Sequence, residues 1–210
     1  MKNTYIILAL SLILYSCSMV QKAAVSTTAG IASNGQREIQ TMNSWETIKV
    51  SIPAQIAFAE TLIASNPSNT TLLAQLIKGN AALGFAVYET QMFAGDVEKK
   101  YFELHAKLAY ARALNWGEKF FLAKDIKWNE LLIGVNDENK LFRLLDDNLS
   151  DKDDTAVFFI GQAWASLINL SRDQMRLVNH LPVARSLIQY VCKKNPDFEH
   201  GMCTLFEGIY

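Results

Sequence analysis

Histidines His105, His180 and His200, cysteines Cys17, Cys192 and Cys203, and a run of aspartates carry the reactive side chains of this sequence. The histidines share no metal-ligand spacing. No His-Glu-x-x-His, Gly-x-Ser-x-Gly or Gly-rich phosphate loop occurs. Cys192, His200 and Cys203 are metal-binding types, but their spacing fits no zinc pattern, so no metal site is expected. Cys192 and Cys203 flank the turn Asn195-Pro196 on two facing helices. A disulfide needs Cα atoms within about 7 Å, which facing helices only sometimes reach, so two buried free thiols are the expected state. Asp146, Asp147, Asp151, Asp153 and Asp154 lack the order of an EF-hand, and read as a solvated loop with a helix cap. None of these groups forms a catalytic constellation. The chain reads as a non-enzyme that needs no cofactor.

Aromatic residues are the remaining candidates. Tyr88, Phe93, Tyr101, Tyr110, Trp116 and Trp164 fall on successive helices, and define a candidate ligand cleft between helix pairs. Core packing accounts for each of them equally well.

The elements that would position these residues are helical. The chain has 210 residues, half of them apolar, enough for a substantial core. A formal net charge of −1 gives no electrostatic case for nucleic acid or for a polybasic membrane surface. Alternating Val, Ile and Thr runs between turn dipeptides are missing, which makes the fold all-α. Pro53 to Gly79 is the organising stretch. Pro53 can open a helix, Asn66-Pro67 closes it, and Ser68-Asn69 caps the next. The spacing returns at Pro182, Asn195, Pro196, Leu205 and Gly208, matching Pro53, Asn66, Pro67, Leu76 and Gly79. Helix pairs recurring with Asn-Pro at the turn mark a tetratricopeptide-like helical repeat.

Ser44 caps a short helix from Trp45 to Ile52, ahead of the one that Pro53 opens. The helix from Thr70 to Phe93 has no charge between Lys78 and Glu89, so it is buried rather than amphipathic. Gln75, Lys78 and Asn80 interrupt it well below membrane-spanning length. Gly79, Ala81, Ala82 and Gly84 allow close helix approach. A long helix from Val97 to Lys124 shows two apolar rows, Val97–Tyr101–Leu104–Leu108–Ala111 and Phe102–Ala106–Ala109–Ala113–Trp116–Phe120, predicting packing on two neighbours. Short helices at 126–133 and 139–149 follow, and then a charge-free helix from Thr155 to Leu170.

The first 16 residues, with Lys2 before an apolar run, form a secretory signal. Leu14-Tyr15-Ser16-Cys17 resembles a bacterial lipobox, which makes Cys17 the lipidation site and the new N-terminus. Several acyl chains would hold the protein durably, where one does not. Ser18 in place of Asp favours the outer over the inner membrane by the common enterobacterial rule. Residues 17–43, rich in Ala, Ser and Thr, read as a tether, and 44–210 as the helical-repeat domain.

With these pieces in order, the chain resembles the T component of TRAP transporters (the TatT family), periplasmic lipoproteins of tetratricopeptide-like fold. The resemblance rests on Cys17, on Pro53 with Asn66-Pro67-Ser68-Asn69-Thr70-Thr71-Leu72-Leu73, and on Ala109-Tyr110-Ala111-Arg112-Ala113-Leu114. It continues through Gln162-Ala163-Trp164-Ala165-Ser166-Leu167-Ile168, Leu170-Ser171-Arg172-Asp173, Leu181-Pro182-Val183-Ala184 and Asn195-Pro196-Asp197-Phe198 with Gly201. It implies association with the substrate-binding P component of a TRAP transporter, self-association, and an apolar or organic-acid ligand. It also implies further helices beyond Tyr210, so the chain reads as truncated, or as capped there by another subunit. A cell-envelope scaffold for assembly or secretion partners is the alternative function.

Overall fold

The computed structural model describes residues 19–33, 35, 44–93 and 96–207. The signal segment, Cys17, Gly208 and Tyr210 lie outside these residues. Every regular element among the described residues is helical. The order is α1 (19–33), α2 (Trp45–Ile63), α3 (Thr70–Ala82), a π-helical stretch Leu83–Glu89, and α4 (Asp96–Leu122). A 3-10 stretch Trp128–Val135, α5 (Glu138–Asn148), a 3-10 turn Asp151–Asp153 and α6 (Asp154–Asn169) come next. α7 (Met175–Val178), α8 (Leu181–Lys194), a 3-10 turn Phe198–His200 and α9 (Met202–Glu207) complete it.

α3 and α6 form the centre because they carry almost no charge. α3 buries Leu72, Leu73, Leu76, Ile77 and Ala81, and packs against α2, α4 and α6. α6 buries every residue from Ala156 to Ala165, and packs against α3, α4 and α8. An all-apolar helix is stable only when neighbours cover it on all sides. Helix α8 comes closest: a Cβ on Gly161 would lie 2.8 Å from the Ala184 carbonyl oxygen and 3.1 Å from the Ile188 nitrogen. Because the obstacle is backbone, it cannot turn aside. Gly161→Ala is expected to cost about 1–3 kcal/mol as overpacking. A lowered urea midpoint at unchanged slope would check this.

The helix caps follow the sequence. Ser44 Oγ accepts from Thr47 N at 3.3 Å, and Asn69 Oδ1 accepts from Leu72 N at 3.0 Å. The Asn-Pro turns close alike, through Asn69 N to Asn66 O at 3.0 Å and Phe198 N to Asn195 O at 3.1 Å.

Five expectations need correction. First, Pro53 opens no helix: Trp45–Ile63 runs through it. Proline forfeits one bond, to the Lys49 carbonyl, and both residues are exposed, where water can serve that oxygen. Second, the tether reading fails for residues 19–33, which form a docked helix. Gln21, Val25, Ser26 and Ala29 share its inner face. Val25 and Ala29 are buried, and Gln75 Nε2 donates to the Ala29 carbonyl at 2.9 Å. Asn69 Nδ2 donates to Ser26 Oγ at 3.1 Å, and Gln21 Nε2 to Ser65 Oγ at 3.2 Å. Third, only one apolar row of α4 is buried. Tyr101, Leu104 and Leu108 remain 54–57% exposed, because α2 packs on α3 and leaves that face of α4 uncovered.

Fourth, Cys192 and Cys203 are a disulfide, with Cα atoms 5.6 Å apart. The tight turn at Asn195 sends the chain straight back along α8, which brings the cysteines within reach. Fifth, the acidic segment is solvated only in part, since Asp146, Asp147 and Asp151 are exposed and the last two aspartates are not. Asp153 and Asp154 are buried, and lysines neutralise them. Lys124 Nζ lies 2.8 Å from Asp153, which also accepts from Ser150 N at 2.9 Å. Lys194 Nζ bridges Asp151 at 3.0 Å and Asp154 at 3.1 Å. These two carboxylates raise the Lys194 ammonium above its ordinary value, while burial opposes them.

Candidate functional site

The structure distributes the six aromatic candidates over several places. Trp164 is buried, with its ring stacked on Trp128 at 4.8 Å and edge-on to His180 at 5.6 Å. Phe93 stands 92% exposed just past the π-helical stretch. Tyr88 and Tyr101 bracket His105, with ring centroids 5.5 and 3.9 Å from the imidazole. His105 Nδ1 donates to the Tyr101 carbonyl at 2.8 Å, which fixes the tautomer. Burial, and then the neighbouring Tyr101, raise the Tyr88 hydroxyl above its usual value.

Tyr110 lies beneath this group. Its ring is fully buried against Gly84, where a Cβ would sit 2.6 Å from Tyr110 Cε1. Only glycine lets the π-helical stretch approach so closely. The Tyr110 hydroxyl donates to Glu89 Oε1. Burial raises the Glu89 carboxyl above its ordinary 4.5, and the Tyr110 hydrogen bond pulls it the other way. The folded protein therefore holds this proton more tightly than the unfolded chain. The stability that Glu89 contributes is full below 4.5, and is lost as pH rises through the higher folded value. Glu89→Gln keeps an acceptor for Tyr110 and removes the titration. Between pH 4 and pH 7, the wild-type melting temperature should fall relative to the variant. Parallel melting curves across that range would contradict the assignment.

Trp116 belongs to a groove of about 740 Å³ between α2 and α4. One wall is the last turns of α2 and the Asn-Pro turn: Glu60, Ile63, Ala64, Pro67 and Ser68. The other is the last two turns of α4 and the residue after it: Trp116, Lys119, Leu122 and Ala123. Both helices pack on α3 and are not extensively packed on each other, which opens the space between them. One ion pair spans it, Arg112 Nη2 to Glu60 Oε1 at 2.6 Å. Its angle is not that of a hydrogen bond, so this buried oxygen has no donor aimed at it. The Trp116 indole nitrogen is also buried with no acceptor. Lys119 Nζ stands 4.1 Å from the centre of the Trp116 ring.

Of the groove's residues, the aromatic signal found Trp116 alone. Pro67 and Ser68 were legible only as turn makers. Lys119 and Leu122 carried no signal, because their meeting with the α2 turn depends on how far α2 splays from α4. Among the described residues no group of three or more His, Cys, Asp and Glu side chains is placed to hold a metal ion. No described helix is long and apolar enough to cross a membrane.

What the fold defines is an all-helical protein with an apolar groove and an exposed apolar helix face. The sequence profile of the TRAP transporter T-component family matches residues 43–210, and the chain belongs to that family. No curated protein and no solved structure matches it. The family is an accessory component of transporters, not a class of enzymes.

Proposed function

We propose that the protein is a lipid-anchored helical-repeat component of a TRAP-type uptake system, facing the periplasm. It binds the transporter's substrate-binding P component and carries an apolar or organic-acid ligand. The family match carries this reading. Three features support it. The exposed Tyr101, Leu104 and Leu108 give α4 an apolar row of the kind that protein partners cover. The Cys192–Cys203 disulfide suits an oxidising compartment. The sequence Leu14-Tyr15-Ser16-Cys17 supplies the anchor, at Cys17, with the outer membrane favoured over the inner. The recurring Asn-Pro hairpins are read as tetratricopeptide-like units.

Co-purification of the acylated protein with its P component in mild detergent tests this reading. A stable complex is expected, and Leu104→Glu with Leu108→Glu should release it. A P component that elutes alone from the wild-type protein would sink the proposal. Self-association through the same row would show instead as a change in the mass of the isolated protein.

A further inference from the structure

We propose that one end of the helical domain lies on the bilayer surface: the start of α1, the α2–α3 turn and the end of α4. This deepens, and rests on, the reading of Cys17 as the lipidated residue.

The docking of α1 takes up the slack in the anchor. As a free coil, residues 17–43 would span roughly 30 Å and let the domain turn any face to the membrane. Instead Cys17 stands two peptide steps, about 7 Å at full stretch, from Met19, and α1 is fastened to the domain from there on.

Three hydrogen bonds fix the direction of α1. Gln21 reaches Ser65 in the turn, Ser26 meets Asn69 at the cap of α3, and Ala29 meets Gln75 further along α3. The helix therefore runs beside α3 in the same direction, with its first residue at the turn. Helix α4 returns antiparallel on α3. Gly84 meets Tyr110, and Pro67 and Ser68 share the groove with Leu122 and Ala123. The end of α4 thus comes to the same place, and the anchor leaves the domain there.

Geometry then excludes the opposite orientation. α4 has 27 residues and is about 40 Å long, several times the reach of the link, so the far end cannot swing down to the bilayer. Met19, Val20 and Leu122 are exposed around the point of attachment. The boundary between headgroups and acyl chains takes up such hydrocarbon. The exposed row Tyr101, Leu104 and Leu108 lies about 20–30 Å further along α4, clear of the membrane and open to a periplasmic partner.

The acylated full chain is reconstituted on phosphatidylcholine vesicles whose headgroups carry a nitroxide. The sequence has three cysteines. With Cys17 acylated and Cys192 bonded to Cys203, an introduced cysteine is the one thiol open to a fluorophore. It is placed in turn by Ser68→Cys, Leu122→Cys and Phe93→Cys, all at exposed positions, with Phe93 past the π-helical stretch at the far end. Labels at Ser68 and Leu122 are expected to lose most of their emission to the lipid nitroxide, and the label at Phe93 to keep it. Val25→Asp puts an unpaired carboxylate beneath α1 and frees the helix. Emission at Ser68 and Leu122 should then recover while the protein stays on the vesicles. Circular dichroism confirms that the variants are folded. Equal quenching at all three positions, none at any, or quenching that survives Val25→Asp overturns the inference. So does a label at Ser68 or Leu122 that is shielded from a water-soluble nitroxide yet untouched by the lipid-borne one, since a protein then covers that end. A chain without acyl groups, left in the supernatant when the vesicles are sedimented, refutes the anchoring reading instead.

Discussion

Truncation of Phe158 to alanine is expected to destabilise the protein by about 3–5 kcal/mol, the range for emptying a fully buried aromatic site. Phe158 is completely enclosed, on the nearly charge-free helix α6. Its ring meets Phe159 at 5.4 Å, Phe198 at 4.8 Å and Phe206 at 5.5 Å. Two of those partners come from the final segment, so the cavity would open where α6 receives the C-terminal turn. Collapse is limited, because Lys78 pairs with Glu199 at 2.5 Å and holds the turn over α3. At about 2–4 °C per kcal/mol for a chain of this size, the melting temperature should drop by roughly 6–20 °C. A loss under about 1 kcal/mol would mean that the segment closes over the gap, contrary to this account.

The second large effect is removal of the disulfide. Cys192→Ser with Cys203→Ser, or reduction of the native protein, should cost about 3 kcal/mol, the value for a short closed loop. The bridge joins positions 11 apart, on the last turns of α8 and the first turn of α9. Within that loop lie Phe198 and the residues Glu199 and His200, whose positive φ values of 46° and 60° mark an unfavourable backbone. The bridge and the Phe158 contacts therefore hold the same segment. Chemical denaturation of the single and combined variants should show the combination costing less than the sum, since a released α9 no longer depends on Phe158. Strict additivity would separate the two and refute the shared role.

How much of this could be read from the residues depends on whether the cause was local. The burial of α3 and α6 follows from missing charge, and the caps at Ser44 and Asn69 follow from residue type, so both were legible. Gly84 was legible as a close-packing position, but not its partner Tyr110. Non-local docking was illegible. The alanine- and threonine-rich segment before residue 34 looks like a tether until Gln75 and Asn69 supply bonds from α3. The outer row of α4 looks like a second packing face until α2 is seen to lean on α3. Pro53 misleads because its rule concerns a lost bond, and an exposed helix side tolerates that loss. The groove is the extreme case, since its walls come from two helices whose separation no local pattern encodes.

The π-helical stretch Leu83–Glu89 acts as a register shifter. In an α-helix each residue advances the side chains by about 100°, and a π-helical turn takes in an extra residue before the helix resumes. Here that extra residue turns Tyr88 toward His105 and Glu89 toward Tyr110. Deleting Ala86 would let the stretch relax to plain α geometry with everything beyond it near its present phase, whereas relaxing it with all its residues present would swing them by about a quarter turn. The aromatic bracket and the buried carboxyl contact would then be lost together, with every one of their side chains still in the protein. The phase of this helix, set by a single residue's count, is what those two contacts share.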